Sequence, residues 1–243
     1  MILENLNDRI VFQYDKVEKY GQNSPKKLVE SHKYFNNLIA SLDENVYAAG
    51  IGITDKEKEL FIPHKKNVDG FFGVRGERGA IISEMKFPTS SFKQNETNSY
   101  NNDIESHAYL YPLYGYVSLS IYEMPRYIPN VKGGLIDSFS PIDTFFEKRL
   151  ARHTEGETPD VGVPIEFYSV FWSDSIDKNS FIGRPIEDYI HYITTLTDIK
   201  YCDDLTSLSK GLFIVNDYER LKSEVSYIFK NIREIINNFT LKL

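Results

Sequence analysis

The stretch that most restricts the fold runs from Val68 to Phe87. Two short apolar segments, Val68-Asp69-Gly70-Phe71-Phe72-Gly73-Val74 and Ala80-Ile81-Ile82-Ser83-Glu84-Met85-Lys86-Phe87, flank the charged, glycine-rich link Arg75-Gly76-Glu77-Arg78-Gly79. Aromatic and β-branched residues on either side of such a link predict two paired strands. Ala80-Ile81-Ile82 is a continuous apolar run, the mark of a strand covered on both faces rather than one that alternates at a surface.

The rest of the chain supplies cover for that sheet. Ser24-Pro25 is a helix start, and Leu28, Tyr34, Phe35, Leu38, Ile39 and Leu42 follow at helical spacing, predicting a helix over about 25–43. Residues 46–54 and 60–62 read as a hairpin around a charged turn, and 104–122 as a helix interrupted at Pro112 and Gly115. Further on, helices are expected near 141–152, 185–196 and up to about Asn237, with strands at 163–172 and 211–215. The last helix carries the stripe Leu221, Val225, Ile228, Phe229, Ile232, Ile235, Ile236, best explained by core packing. Helices interleaved with strands give an α/β (α+β) chain with a central mixed β-sheet flanked by helices and additional C-terminal helices. No repeat or linker divides it, so one domain is expected over 1–243, with a core over about 25–125.

Charge and cysteine content narrow the function classes. A net charge of −7 argues against a protein that coats nucleic acid through many phosphate contacts, but not against a local DNA-binding cleft. The single cysteine, Cys202, forms no internal disulfide, and the histidines lack zinc-ligand spacing. With no leader-like start and no long apolar run, a soluble, cytoplasmic protein is expected.

The predicted hairpin also gathers reactive groups. Hydrolysis of a phosphodiester with Mg²⁺ needs oxygen ligands converging on the cation, plus a positive group to orient the water. Asp69 opens the first strand, while Glu84 and Lys86, two residues apart, share one face of the second. These three residue types on neighbouring strands suit that chemistry; the competing explanation for Glu84 and Lys86 is a solvated cross-strand ion pair. The second acidic-x-Lys triplet, Asp198-Ile199-Lys200, follows the stripe Ile186, Tyr189, Ile190, Ile193, Leu196 and reads as a helix end. Pro159-Asp160 with Glu166 lacks a following lysine and reads as structural.

Val68-Asp69-Gly70-Phe71-Phe72 followed by Ala80-Ile81-Ile82-Ser83-Glu84-Met85-Lys86 resembles the core of the PD-(D/E)XK nucleases, with Val68 in the place of the proline. Ser91-Phe92-Lys93-Gln94-Asn95-Glu96-Thr97-Asn98, then Asn102-Asp103-Ile104-Glu105, is similar to a segment of some type II restriction endonucleases. The resemblance implies a restriction-endonuclease-like fold and Mg²⁺ held by Asp69, Glu84 and the Met85 carbonyl. It also implies Lys86 acting on the water and Glu30 on the first helix supplementing the site. The implied substrate is double-stranded DNA cut at a specific sequence by a homodimer, with a DNA methyltransferase as the partner of a restriction-modification system.

Lys93, Gln94, Asn95, Asn98 and Asn102 are candidate DNA contacts, since amides pair bidentately with adenine and lysine binds phosphate; an ordinary polar loop explains them equally well. Recognition elements are expected over 126–243, where Arg126, Lys132, Lys148, Arg149 and Arg152 are candidate cations. The alternatives are a structure-specific or repair nuclease and, from another class, a non-catalytic protein-binding module of the immunity type.

Overall fold

The computed structural model describes residues 3–48, 69–76, 80–91, 116–154, 165–211 and 213–240. The chain begins with helix α1 (Leu6–Tyr20), for which the sequence reading made no allowance. The Asn5 side chain accepts from the Asp8 amide at its start, and the helix stops at Gly21, whose φ of 88° suits a residue without Cβ. Ser24 caps a 3-10 turn over Pro25–Leu28, which leads into α2 (Val29–Ala40). The helix predicted over 25–43 is thus real but opens in tighter geometry, as short 3-10 segments commonly do at helix ends.

Strands β1 (Val46–Ala48), β2 (Gly70–Val74) and β3 (Ala80–Lys86) form an antiparallel meander, with Phe71 opposite Ile82 and Gly70 opposite Ser83. The paired strands read from the sequence are therefore present. β1 pairs with β2; the proposed partner at 60–62 lies outside the described residues.

The predicted helix over 104–122 is corrected in its described part. Tyr116–Pro125 is strand β4, parallel to β3 from Ala80–Tyr116 through Lys86–Tyr122, while 104–115 lie outside the described residues. β4 is covered on both faces, so it shows no alternation to separate it from a buried helix.

β5 (Tyr127–Lys132) and β6 (Leu135–Pro141) make a separate hairpin that the sequence reading missed. Helix α3 (Asp143–Thr154) then leads to β7 (Ile165–Trp172), buried from Ile165 to Phe171 and parallel to β4. Helix α4 (Ile186–Thr194), strands β8 (Lys200–Tyr201) and β9 (Phe213–Val215) and helix α5 (Tyr218–Thr240) complete the chain. β8 is antiparallel and β9 parallel to β7. The result is a mixed sheet flanked by helices. No described helix is long and apolar enough to cross a membrane.

Both faces of the sheet are closed. Phe35 and Ile39 of α2 and Leu221 and Val225 of α5 pack on Phe72, Ile81, Met85, Leu119, Ile121 and Phe167. On the opposite face Phe145 and Phe146 of α3 meet Tyr122, Tyr168 and Phe213. A third cluster joins α1 and α4 through Ile10, Tyr14, Tyr189 and Ile190, with Phe87 and Phe171 stacked at 6.0 Å between centroids. The strands read as apolar runs because helices cover them above and below.

Candidate active site at the end of strand β3

Asp69 stands one residue ahead of β2, where that strand stops covering the edge of β3. Its amide donates to the Ser83 carbonyl at 3.2 Å, and its carboxylate Oδ2 accepts the Met85 N–H at 2.8 Å. The acid is thereby fixed beside the residue that separates Glu84 from Lys86. An extended residue directs its N–H and C=O toward the same neighbouring strand, so the Met85 carbonyl also faces the end of β2. Met85's side chain points into the core beneath α2, which turns Glu84 and Lys86 to the other face. Glu84 is buried and Lys86 half-buried, in register with Ser120 and Tyr122 of β4.

Helix α2 approaches Asp69 from the opposite face. His32 Nε2 lies 3.9 Å from Asp69 Oδ2, beyond hydrogen-bond range. Burial lowers the His32 pKa, against the pull of the Asp69 charge, so near neutral pH the ring is uncharged. Its Nε2 has no hydrogen-bond partner among the described residues, nor do the buried Asn36 Oδ1 and Ser83 Oγ. The last two crowd Gly70: a Cβ there would stand 2.8 Å from Asn36 Oδ1 and nearer still to Ser83 Oγ. Glycine at position 70 makes room for the Ser83 side chain of β3 and the Asn36 side chain of α2; its φ is ordinary.

Glu30 is buried, 4% exposed, rather than solvated. Its Oε1 pairs with Lys33 at 2.8 Å and its Oε2 has no hydrogen-bond partner among the described residues. No described hydrogen bond or ion pair joins Glu30 to Asp69; the α2 residue that reaches the acid is His32. His32 stands three residues before Phe35 and four before Asn36 on the same helical face, a spacing that is the one signal for it in the sequence. Among the described residues, no group of three histidine, cysteine or acidic side chains is arranged to hold one cation. The backbone brings Asp69, Glu84 and Lys86 to one strand end without closing a cage.

Lys93, Gln94, Asn95, Asn98 and Asn102 lie outside the described residues. Of the candidate cations in the second half, Lys132 and Lys148 are exposed, while Arg126 bridges to Asp204 at 2.8 Å and to Asp143 at 3.8 Å. Arg149 is corrected: it is 1% exposed and 3.3 Å from Glu166, so it is a core residue rather than a DNA contact. Burial disfavours its charge, but Tyr168 and Glu166 raise its pKa on balance, and Glu166 is structural, as the sequence suggested. Asp198, read as a helix end, accepts from Ser173 and Ser175 just beyond α4.

A second buried charge pair was not anticipated. Arg9 of α1 and Glu123 of β4, both fully buried, meet at 2.7 Å; Gln13 and Ser31 also donate to Glu123, and Arg9 donates to Tyr201 and lies over the Tyr34 ring. Burial opposes the Arg9 charge, yet Glu123 holds its pKa above the ordinary value. The network joins α1 and α2 to the sheet. No protein family, characterised protein or solved structure matches the chain.

Proposed function

We propose that this chain is a Mg²⁺-dependent endonuclease of the PD-(D/E)XK kind, cutting double-stranded DNA at a specific sequence as a type II restriction enzyme. The observation that carries the reading is the 2.8 Å hydrogen bond from the Met85 amide to Asp69, which fixes a carboxylate beside Glu84-Met85-Lys86. A mixed sheet, antiparallel through β1–β3 and parallel from β3 to β4, is compatible with the restriction-endonuclease-like fold that the resemblance implies.

The donor set suits a hard divalent cation. Carboxylates of Asp69 and Glu84 and the Met85 carbonyl are the oxygen ligands Mg²⁺ prefers, and the cation usually completes its shell with water and substrate phosphate. When bound, it would polarise the phosphoryl oxygen and offset the charge that builds up there. The chain's own residues do the rest: the Met85 N–H orients the Asp69 carboxylate, Lys86 Nζ orients the attacking water, and neutral His32 closes the α2 side of Asp69. A homodimer cutting both strands of a symmetric site, alongside a methyltransferase, follows from the same reading.

The test is incubation of purified protein with unmethylated plasmid and phage DNA in Mg²⁺, beside Asp69→Asn and Lys86→Ala. Discrete fragments lost in both variants support the proposal. A smear lost in both moves the reading to a structure-specific or repair nuclease. Intact DNA across sequences and divalent metals refutes hydrolysis and favours a binding module.

A further inference from the structure

A second concavity opens beside Lys86. It has a volume of about 340 Å³ and lies between the 3-10 turn and the end of β3, with Ser24, Lys27, Leu28, Lys86, Phe87 and Pro88 in its wall. Among the described residues two lysines and no carboxylate line it, in a chain whose net charge is −7. We propose that this cleft holds a backbone phosphate of the DNA strand adjacent to the one hydrolysed, with Lys27 as its cation. The inference rests on the nuclease reading above and names where the substrate strand continues.

Three features converge on a phosphate. Lys86 is common to the candidate active site and the cleft, so a strand whose scissile group lies at Lys86 has its neighbouring phosphate within the cleft's span. Lys27 is turned inward, half-buried, and among the described residues its amine makes one hydrogen bond, to the neutral Gln22 carbonyl at 2.6 Å. Burial pulls its pKa down to about 8, and with no carboxylate among the described lining residues an incoming anion would supply its counter-charge. Pro25, Leu28 and Pro88, which are exposed or half-buried in the wall, offer apolar surface to a deoxyribose, in a mixture of polar and apolar lining found in small-ligand sites. Asn23 also lines the cleft, but a contact to phosphate itself carries no sequence information.

The experiment is a titration of a fluorescent, sequence-randomised DNA duplex with the full chain in Mg²⁺ over a series of salt concentrations, for wild type, Lys27→Met and Lys27→Arg. Methionine keeps the apolar stem and removes the charge; thermal melting of each variant verifies folding. Lys27→Met is expected to weaken binding several-fold on any sequence and to reduce the slope of log affinity against log salt by about one. Lys27→Arg is expected to restore both. An affinity and slope equal to wild type in folded Lys27→Met, while Lys86→Ala still abolishes cleavage, overturns the cleft and leaves the nuclease reading standing. A wild type that neither binds nor cuts duplex overturns both.

Discussion

Asp69 does two things that substitution can separate. Its Oδ2 accepts the amide of the buried Met85, and its charge faces the end of β3. Asp69→Asn keeps a side-chain oxygen in place for the Met85 N–H and loses only the charge. Asp69→Ala removes the acceptor and leaves the amide unpaired, which costs about 1–3 kcal/mol for a buried donor. The Asp69 side chain is 30% exposed, so water partly replaces the acceptor and the loss belongs near the lower end, about 1–2 kcal/mol.

For a chain of this length, each kcal/mol moves Tm by roughly 2–4 °C. Asp69→Ala is therefore expected to melt about 2–8 °C below wild type, while Asp69→Asn melts close to it. Both are expected to lose Mg²⁺-dependent cleavage, because an amide is a poor substitute for a carboxylate at a divalent cation. Melting curves together with a plasmid-nicking assay read the two effects apart. An Asp69→Asn enzyme that cuts at the wild-type rate refutes the metal role, and an Asn variant as unstable as the Ala variant refutes the hydrogen bond.

Other sites give further tests. Removing one member of the buried pair, as in Glu123→Ala, is expected to destabilise by about 3–5 kcal/mol in guanidinium unfolding, with the double change Arg9→Met/Glu123→Met costing less because no buried charge is left alone. Gly70→Ala is expected to lower both Tm and cleavage, since its Cβ forces Ser83 or Asn36 away from Asp69's neighbour; Ser83→Ala in the same chain is expected to recover part of the loss. The Lys27 amine titrates near 8 in the fold and at 10.5 in the unfolded chain, so its contribution is present above 10.5 and lost as pH falls through 8. Wild type minus Lys27→Met stability, measured from pH 7 to 11 in steps, is therefore expected to rise with pH, and a flat difference refutes the burial. The Cys202 thiol, buried and pushed up to about 12, is expected to resist iodoacetamide at neutral pH until the chain unfolds.

The hairpin was legible because its signals are local. Glycine and charge mark the turn, and Ile81, Ile82 and Phe72 mark strands covered on both sides. α1 was illegible because Arg9 and Gln13 occupy positions along its buried stripe of Leu6, Ile10, Tyr14 and Val17. Polar residues belong there only because Glu123 is present, 114 residues away, and nothing short-range announces that pairing. β4 was mistaken for a helix for a related reason: a strand buried on both faces has lost the alternation that distinguishes it. Arg149 looked like a surface cation until Glu166, on another element, accounted for it.

The same distinction applies within the site. Asp69, Glu84 and Lys86 could be read from the sequence because one hairpin carries all three. The α2 contribution could not, since it depends on how closely a helix crosses β2. Among the described residues, that crossing leaves Asn36 Oδ1 and Ser83 Oγ without a hydrogen-bond partner beside Gly70, and His32 Nε2 without one 3.9 Å from Asp69. Each unpaired buried polar atom costs on the order of 1–3 kcal/mol, whereas a leucine or alanine at these positions would cost nothing of the kind. A helix shaped only to cover the sheet would place apolar groups there, as Phe35 and Ile39 do one turn along. Among the described residues, polar groups of α2 and β3 rather than apolar cover therefore stand beside the hydrogen-bonded Asp69 carboxylate.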